Sequence, residues 1–268
     1  MAKRRRPLIL AGGLLALALA LALLLPLALV VAAAFRPSGA LGISSEEWVA
    51  GAGAGRAFRY LLDTYGAHLW TSLEIALSAG ALAVGLGAPA GVALALAPDR
   101  RLARAAEALL TLPLAVPGIA AAMALLAAWP DAGGALALLL VGHLLYTLPY
   151  AVRTVGVAAR ASELGRALEA ARTLGAGRRA RARHLLWPSL RRAIGTALLM
   201  ALAVSWGEFN VTFLLATPAH GTFPTALYLA YTTGSFPVAA AATTIFLAGL
   251  LPLVLVALAL GSPPEQGA

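Results

Sequence analysis

Two carboxylates, Glu74 and Glu208, lie inside long apolar runs. Ionisable groups are costly in such runs and usually face a bundle interior or a water-filled path. Asn210 and Thr212 follow Glu208 closely, so this stretch could meet a polar solute as it crosses. A pathway lining is one reading of Glu208 and of Glu74, and an interhelical hydrogen bond that locks packing is the other. His143, in a further apolar run, carries the same two readings. The four histidines, His68, His143, His184 and His220, share no paired spacing, so neither a metal site nor a nucleophile–base pair follows. No catalytic residue is expected. Lys3 is the only lysine, which excludes a Gly-x-x-x-x-Gly-Lys phosphate loop and leaves any ATP hydrolysis to another chain. The absence of cysteine removes disulfides and thiolate metal sites as well.

These groups must be positioned by a membrane-embedded framework. The chain is 61% hydrophobic and 12% charged, and its mean hydropathy of +0.86 is far from that of soluble domains. Six segments reach the length of about 20 mainly apolar residues that a spanning helix needs: 7–35, 71–97, 106–128, 134–155, 193–216 and 236–260. The net charge of +9 invites a nucleic-acid reading, but the cations only flank apolar runs, so no nucleic-acid partner is expected. Of the 20 cations, 17 precede the first span, separate the second from the third, or surround the loop at 156–192. Arg36, Arg56 and Arg59 are the exceptions. Cytoplasmic loops retain Lys and Arg, so both termini and the 156–192 loop are expected in the cytoplasm. The Lys3–Arg6 cluster before an apolar run resembles a signal peptide, yet the run is much longer than the roughly 7–15 residues of a signal core. An uncleaved first helix is preferred.

Between the first two spans, Ser44-Ser45-Glu46-Glu47 reads as a helix start and Gly51, Gly53 and Gly55 as a flexible connector, with a short turn from Arg59 to Tyr65. Gly87 and Gly91 have the spacing of close helix packing. Pro113 and Pro117 predict a kink in the third span. No internal repeat is evident, which counts against the inverted repeats of many secondary transporters.

The basic loop has its own pattern. Ser162 is expected to cap a helix from Glu163 to about Leu174, with Leu164, Leu168 and Ala171 as one apolar stripe. Gly175 is placed for a left-handed stop. A second short helix is expected through the arginine-rich stretch to Leu186, with Pro188 opening the next segment. The alternative is a solvated basic loop that only anchors topology.

Glu169-Ala170-Ala171, then Gly175, then Leu185 and Pro188 after nine residues resembles the "EAA" loop of permease subunits in binding-protein-dependent ABC importers. The segments 142–153, 116–118 and 207–212 resemble the branch serving polyamines, ferric iron, thiamine, aminoethylphosphonate and oxyanions. Trp187 stands where the family usually has Leu, and Ala182 where it often has a bulky aromatic. The resemblance implies an all-α integral membrane fold, a type I importer permease of six transmembrane helices forming a single domain, in the bacterial cytoplasmic membrane. It implies that Glu169, Ala170, Ala171, Gly175, Leu185 and Pro188 dock an ATP-binding cassette subunit. That partner would hold ATP and Mg, while this chain binds no cofactor. A second permease, identical or not, and an extracytoplasmic substrate-binding protein would complete the assembly. The rival readings are an ion-coupled secondary transporter using Glu74 and Glu208, and a membrane scaffold whose basic loop recruits a partner or anionic lipid.

Overall fold

The structure, a computed structural model, describes residues 2–35, 55–217, 220–233 and 236–261. Every regular element among them is helical. The expected helix start at 44–47 and the glycines Gly51 and Gly53 lie outside the described residues. The chain divides into two compact units, Met1–Gly66 with Leu227–Leu247, and Ala67–Ala226 with Ala248–Ala268.

In the first unit, α1 (Ala2–Ala34) is apolar all round over Gly13–Ala34. Its leucines, from Leu14 to Leu29, are exposed, as expected of a helix whose solvent is lipid. Phe35 and Phe58 meet at 5.2 Å between ring centroids, and Ala57 and Leu61 are buried nearby in sequence. These residues belong to α2, which runs unbroken from Gly55 to Leu96. The expected span 71–97 is therefore only its second part, and the stretch from Arg59 to Tyr65 is continuous helix. Gly55 starts this helix instead of breaking it, because a glycine at the first position interrupts no hydrogen-bond ladder.

The second unit holds the elements around both candidate sites. The expected third span, 106–128, is not one helix. It consists of α3 (Arg100–Thr111), a 3-10 turn at Leu112–Ala115, and α4 (Gly118–Ala128). The two arms meet at 101°. Pro117 explains the break: it has no N–H, and it forces Val116 out of the helical region to φ −92°, ψ 127°. Asp99 caps α3, its carboxylate accepting from the N–H groups of Arg101 at 2.8 Å and Leu102 at 3.1 Å. Next comes α5 (Leu136–Ala161). Near its end, Arg160 meets Glu107 of α3 at 3.5 Å. Earlier in the helix, the Tyr146 hydroxyl donates to the Val116 carbonyl at 2.8 Å.

After α5 come α6 (Leu164–Thr173) and α7 (Arg178–Arg181), a π turn at Ala182–Leu186, and α8 (Trp187–Trp206). The expected span 193–216 is broken, since α8 stops at Trp206 and α9 (Asn210–Leu215) begins after three residues. An unexpected helix, α10 (Phe223–Thr233), occupies part of the presumed outer loop. Its first N–H, from the buried Phe223, donates to Ser72 Oγ at 2.7 Å. The last helix, α11, covers Phe236–Gly261. Among the described residues, four helices are long and apolar enough to cross a bilayer, five if the bent pair counts as one span. The remaining expected span, 193–216, falls on the broken α8–α9 segment, which is not among these five.

Among the described residues, two clusters pack this unit. One joins Ala83, Ala88 and Ala95 of α2 to Ala151, Val155 and Ala159 of α5, and to Leu190, Ala197 and Ala201 of α8. Small residues dominate because lipid tails are as apolar as leucine, so close backbone approach is what favours helix association. The Gly87–Gly91 pair fits this expectation: a Cβ at Gly87 would lie 2.7 Å from that of Ala151, and one at Gly91 would run into the Val152 carbonyl. The second cluster joins Ile75, Ala122, Leu125, Leu138, Leu139, Val211 and Leu215.

Candidate functional site

The basic loop is built on the first cluster. Ser162 does not cap α6, as its spacing suggested. It ends α5, with its N–H on the Ala158 carbonyl at 3.0 Å and its hydroxyl on that of Ala159 at 3.4 Å. The turn between the helices falls on Glu163, which adopts a left-handed φ of 49°, unusual for a residue with a side chain. Its carboxylate pairs with Arg166 at 3.1 Å, but both side chains are too exposed for the pair to matter much.

From there α6 follows the expected stripe. Leu164 is 1% exposed and belongs to the alanine-rich core, against which Leu168 packs. Ala171 is half-buried. The helix stops as its glycine predicts, with Gly175 at φ +80°. The N–H of Gly175 reaches the Arg172 carbonyl at 3.0 Å and that of Ala176 reaches Ala171 at 2.9 Å. This paired closure satisfies carbonyls that the helix end would otherwise leave open. Pro188 does not open a separate segment. It is the second residue of α8, and α7, the π turn and α8 follow without interruption. Proline cannot donate and crowds the carbonyl four residues back. The π turn absorbs this, with the Trp187 N–H bonding to the Ala182 carbonyl one residue further away. Leu185 is half-buried in that turn.

The loop is thus rooted at both ends and presents a solvent face. Glu169 and Ala170 are exposed on it, and Glu169 makes no ion pair with the described residues. Leu174, between the stripe and the glycine, is 87% exposed. Sequence reasoning passed over Leu174 because it was treated as the end of the helix. Spacing gave no signal for it, because Leu174 lies three residues after Ala171 and continues the stripe.

The polar groups of the spans gather where two helices break. Glu208 lies between α8 and α9, half-buried, and its Oε1 accepts from the Val211 N–H at 2.8 Å. The acid therefore satisfies an open donor at the start of α9. Thr212 is buried and donates to the Glu208 carbonyl at 3.3 Å. Asn210 is exposed. Gly118, at the other break, approaches so closely that a Cβ there would lie 2.7 Å from that of Asn210 and 3.4 Å from Glu208 Oε1. His143 sits behind, 1% exposed, with Nδ1 2.8 Å from Ser205 Oγ and Nε2 2.9 Å from Thr212 Oγ1. Its geometry is that of a packing lock. Glu74 takes no part in these bonds and is exposed on α2. No group of histidines and acids with metal-binding geometry occurs among the described residues.

Discontinuous membrane helices whose broken ends meet around polar groups are the setting in which transporters bind solutes. A rooted helical loop at one membrane boundary suits contact with a soluble partner. A search of curated protein sequences gave no match. Residues 87–261, from the second half of α2 to the end of α11, match the family described as the binding-protein-dependent transport system inner membrane component. With both sites inside the matched region, the chain belongs to this family of membrane transport components.

Proposed function

We propose that the chain is the permease subunit of an ATP-driven importer, forming with a second permease the path for a small solute. An extracytoplasmic binding protein delivers the solute, and ATP-binding cassette subunits holding ATP and Mg drive the cycle. The bacterial cytoplasmic membrane is the proposed location, with both termini and the 156–192 loop in the cytoplasm. The loop carries the coupling, through Glu169, Ala170, Ala171, Gly175, Leu185 and Pro188. The observation that supports this most is the division of labour within α6. Leu164 is buried in the helix core, while Glu169 is exposed and Leu174 is 87% exposed. Motion of a docked ATPase would thus reach the spans through a rigid element, and alternating access is a two-state change that such a contact can bias.

Within the path, Glu208 and Asn210 line the broken region, while Thr212 and His143 hold it from behind. Glu74, exposed on α2, is a further pathway group in this proposal. Reconstitution in vesicles tests the whole. The chain alone should hydrolyse no ATP. Turnover should require the cognate ATP-binding subunit and rise with solute-loaded binding protein. ATP hydrolysis by the pure chain, or uptake driven by an ion gradient without ATP, contradicts the proposal.

A further inference from the structure

A cleft apart from both sites holds charge that the fold leaves unused. It lies where α2 ends, α3 begins and α5 ends, and encloses a cavity of about 520 Å³ lined by Leu94, Arg100, Ala103, Arg104, Glu107 and Arg160. Arg100, Arg104 and Glu107 follow at helical spacing, so α3 turns them to one side. Arg160 comes across from α5 to meet Glu107 at 3.5 Å, with the two side chains 37% and 26% exposed. Arg100 donates one N–H to the Ala95 carbonyl at 3.2 Å. Arg104 donates its Nε–H to the Arg100 carbonyl at 3.1 Å. A guanidinium has five N–H donors, so most donors around the cavity have no acceptor among the described residues. The lining supplies one carboxylate against three cations. Asp99, whose carboxylate caps α3, does not line the cavity.

The position of the cleft narrows its ligand. Leu96 ends α2, Arg100 opens α3 and Ala161 ends α5. Two apolar segments therefore end at the cavity and the amphipathic α3 begins there, which sets it at a bilayer boundary, on the face where the chain's cations gather. We propose that this cleft binds the phosphate group of an anionic phospholipid from the leaflet on that face. Forked guanidinium donors match phosphate oxygens in pairs. Basic pockets between membrane helices suit lipid head groups, and Leu94 and Ala103 give the glycerol end an apolar wall. The bound phosphate ties α3 to α5 three residues before Glu163, bracing the root of α6.

Native mass spectrometry of the full chain in detergent with mixed phosphatidylglycerol and phosphatidylcholine tests this. The wild-type chain should retain phosphatidylglycerol selectively. Arg100→Gln with Arg104→Gln should weaken retention about thirtyfold, the effect of removing two interfacial cations. Arg191→Gln with Arg192→Gln, an equal loss of charge elsewhere, should leave retention unchanged. Glu107→Gln removes the competing carboxylate and should increase retention, so the test stands even if the arginine variant does not fold. Equal retention of both lipids, wild-type retention by a folded Arg100→Gln, Arg104→Gln variant, or no gain in Glu107→Gln overturns the proposal. Displacement of the lipid by millimolar inorganic phosphate assigns the cleft to free phosphate and contradicts the lipid source.

Discussion

Nε2 of His143 in α5 lies 2.9 Å from Oγ1 of Thr212 in α9, both residues being buried. The other ring nitrogen meets Ser205 of α8 at 2.8 Å. One imidazole therefore links the two pieces of the broken span. A neutral ring donates from one nitrogen and accepts at the other; with the Thr212 hydroxyl donating to the Glu208 carbonyl, Nε2–H donates to Thr212 and Nδ1 accepts from Ser205. His143→Ala should destabilise the folded chain by about 1–3 kcal/mol, because two buried hydroxyls lose a partner. Thermal unfolding in detergent should show this loss, and transport per folded molecule should survive better than protein level. Unchanged stability would remove the locking role.

Glu208 differs in kind, being half-buried at the break with its carboxylate on backbone N–H groups at the start of α9, that of Val211 among them. Glu208→Gln retains an acceptor for Val211, so protein level and melting temperature should hold. Uptake should fall by about tenfold or more, the scale of a lost charge-assisted hydrogen bond. Glu208→Ala should in addition cost about 1 kcal/mol through the lost cap. Uptake and stability unchanged in Glu208→Gln would leave the acid with a packing role alone.

Close packing of α2 on α5 gives a separate test. A Cβ at Gly156 would sit 3.2 Å from the Gly91 carbonyl oxygen, and one at Gly91 would enter the Val152 carbonyl. Gly91→Val should cost about 1–3 kcal/mol or more, since backbone rather than a side chain must move. Gly85, where a Cβ meets nothing within 4 Å, is the control position. Gly85→Ala should be tolerated, as measured by the same unfolding assay.

In the 156–192 loop, Gly175→Val forces a β-branched residue into φ +80° at a cost of about 1–3 kcal/mol. Because a Cβ there meets nothing within 4 Å, the damage is to the turn and not to packing. Glu169→Lys reverses an exposed charge and leaves the core untouched. Both variants should insert and accumulate normally, yet lose solute-stimulated ATPase turnover with the partner subunit. Wild-type turnover in both would leave the loop as a topology anchor.

Local chemistry was legible in the sequence, and long-range chemistry was not. The stripe of Leu164, Leu168 and Ala171 and the left-handed Gly175 depend on neighbours within a few residues, so spacing alone revealed them. Pro117 announced a disturbance, but its size, 101°, depends on the contacts of α4 with α9 and α5. The stop at Trp206 has no proline to mark it, and apolar composition carried the expected span straight through. Glu208 gave no sign of capping α9 because the helix it caps was not expected. Ser162 was misread for a related reason: a serine between two helices can serve the end of one or the start of the next. Leu174 needed the structure, since only burial separates a protruding leucine from a packed one.

The central claim, that the loop docks an ATP-binding subunit, is tested most directly by crosslinking at Leu174. The chain has no cysteine, so Leu174→Cys provides a single reactive thiol. A short bifunctional reagent applied to the reconstituted complex should join position 174 to the ATP-binding subunit, and Glu169→Lys should reduce the yield. A control thiol at the exposed Leu23 of α1 should give no such product. A crosslink from Leu23→Cys as strong as that from Leu174→Cys, or none from position 174 in a complex that transports, would contradict the account.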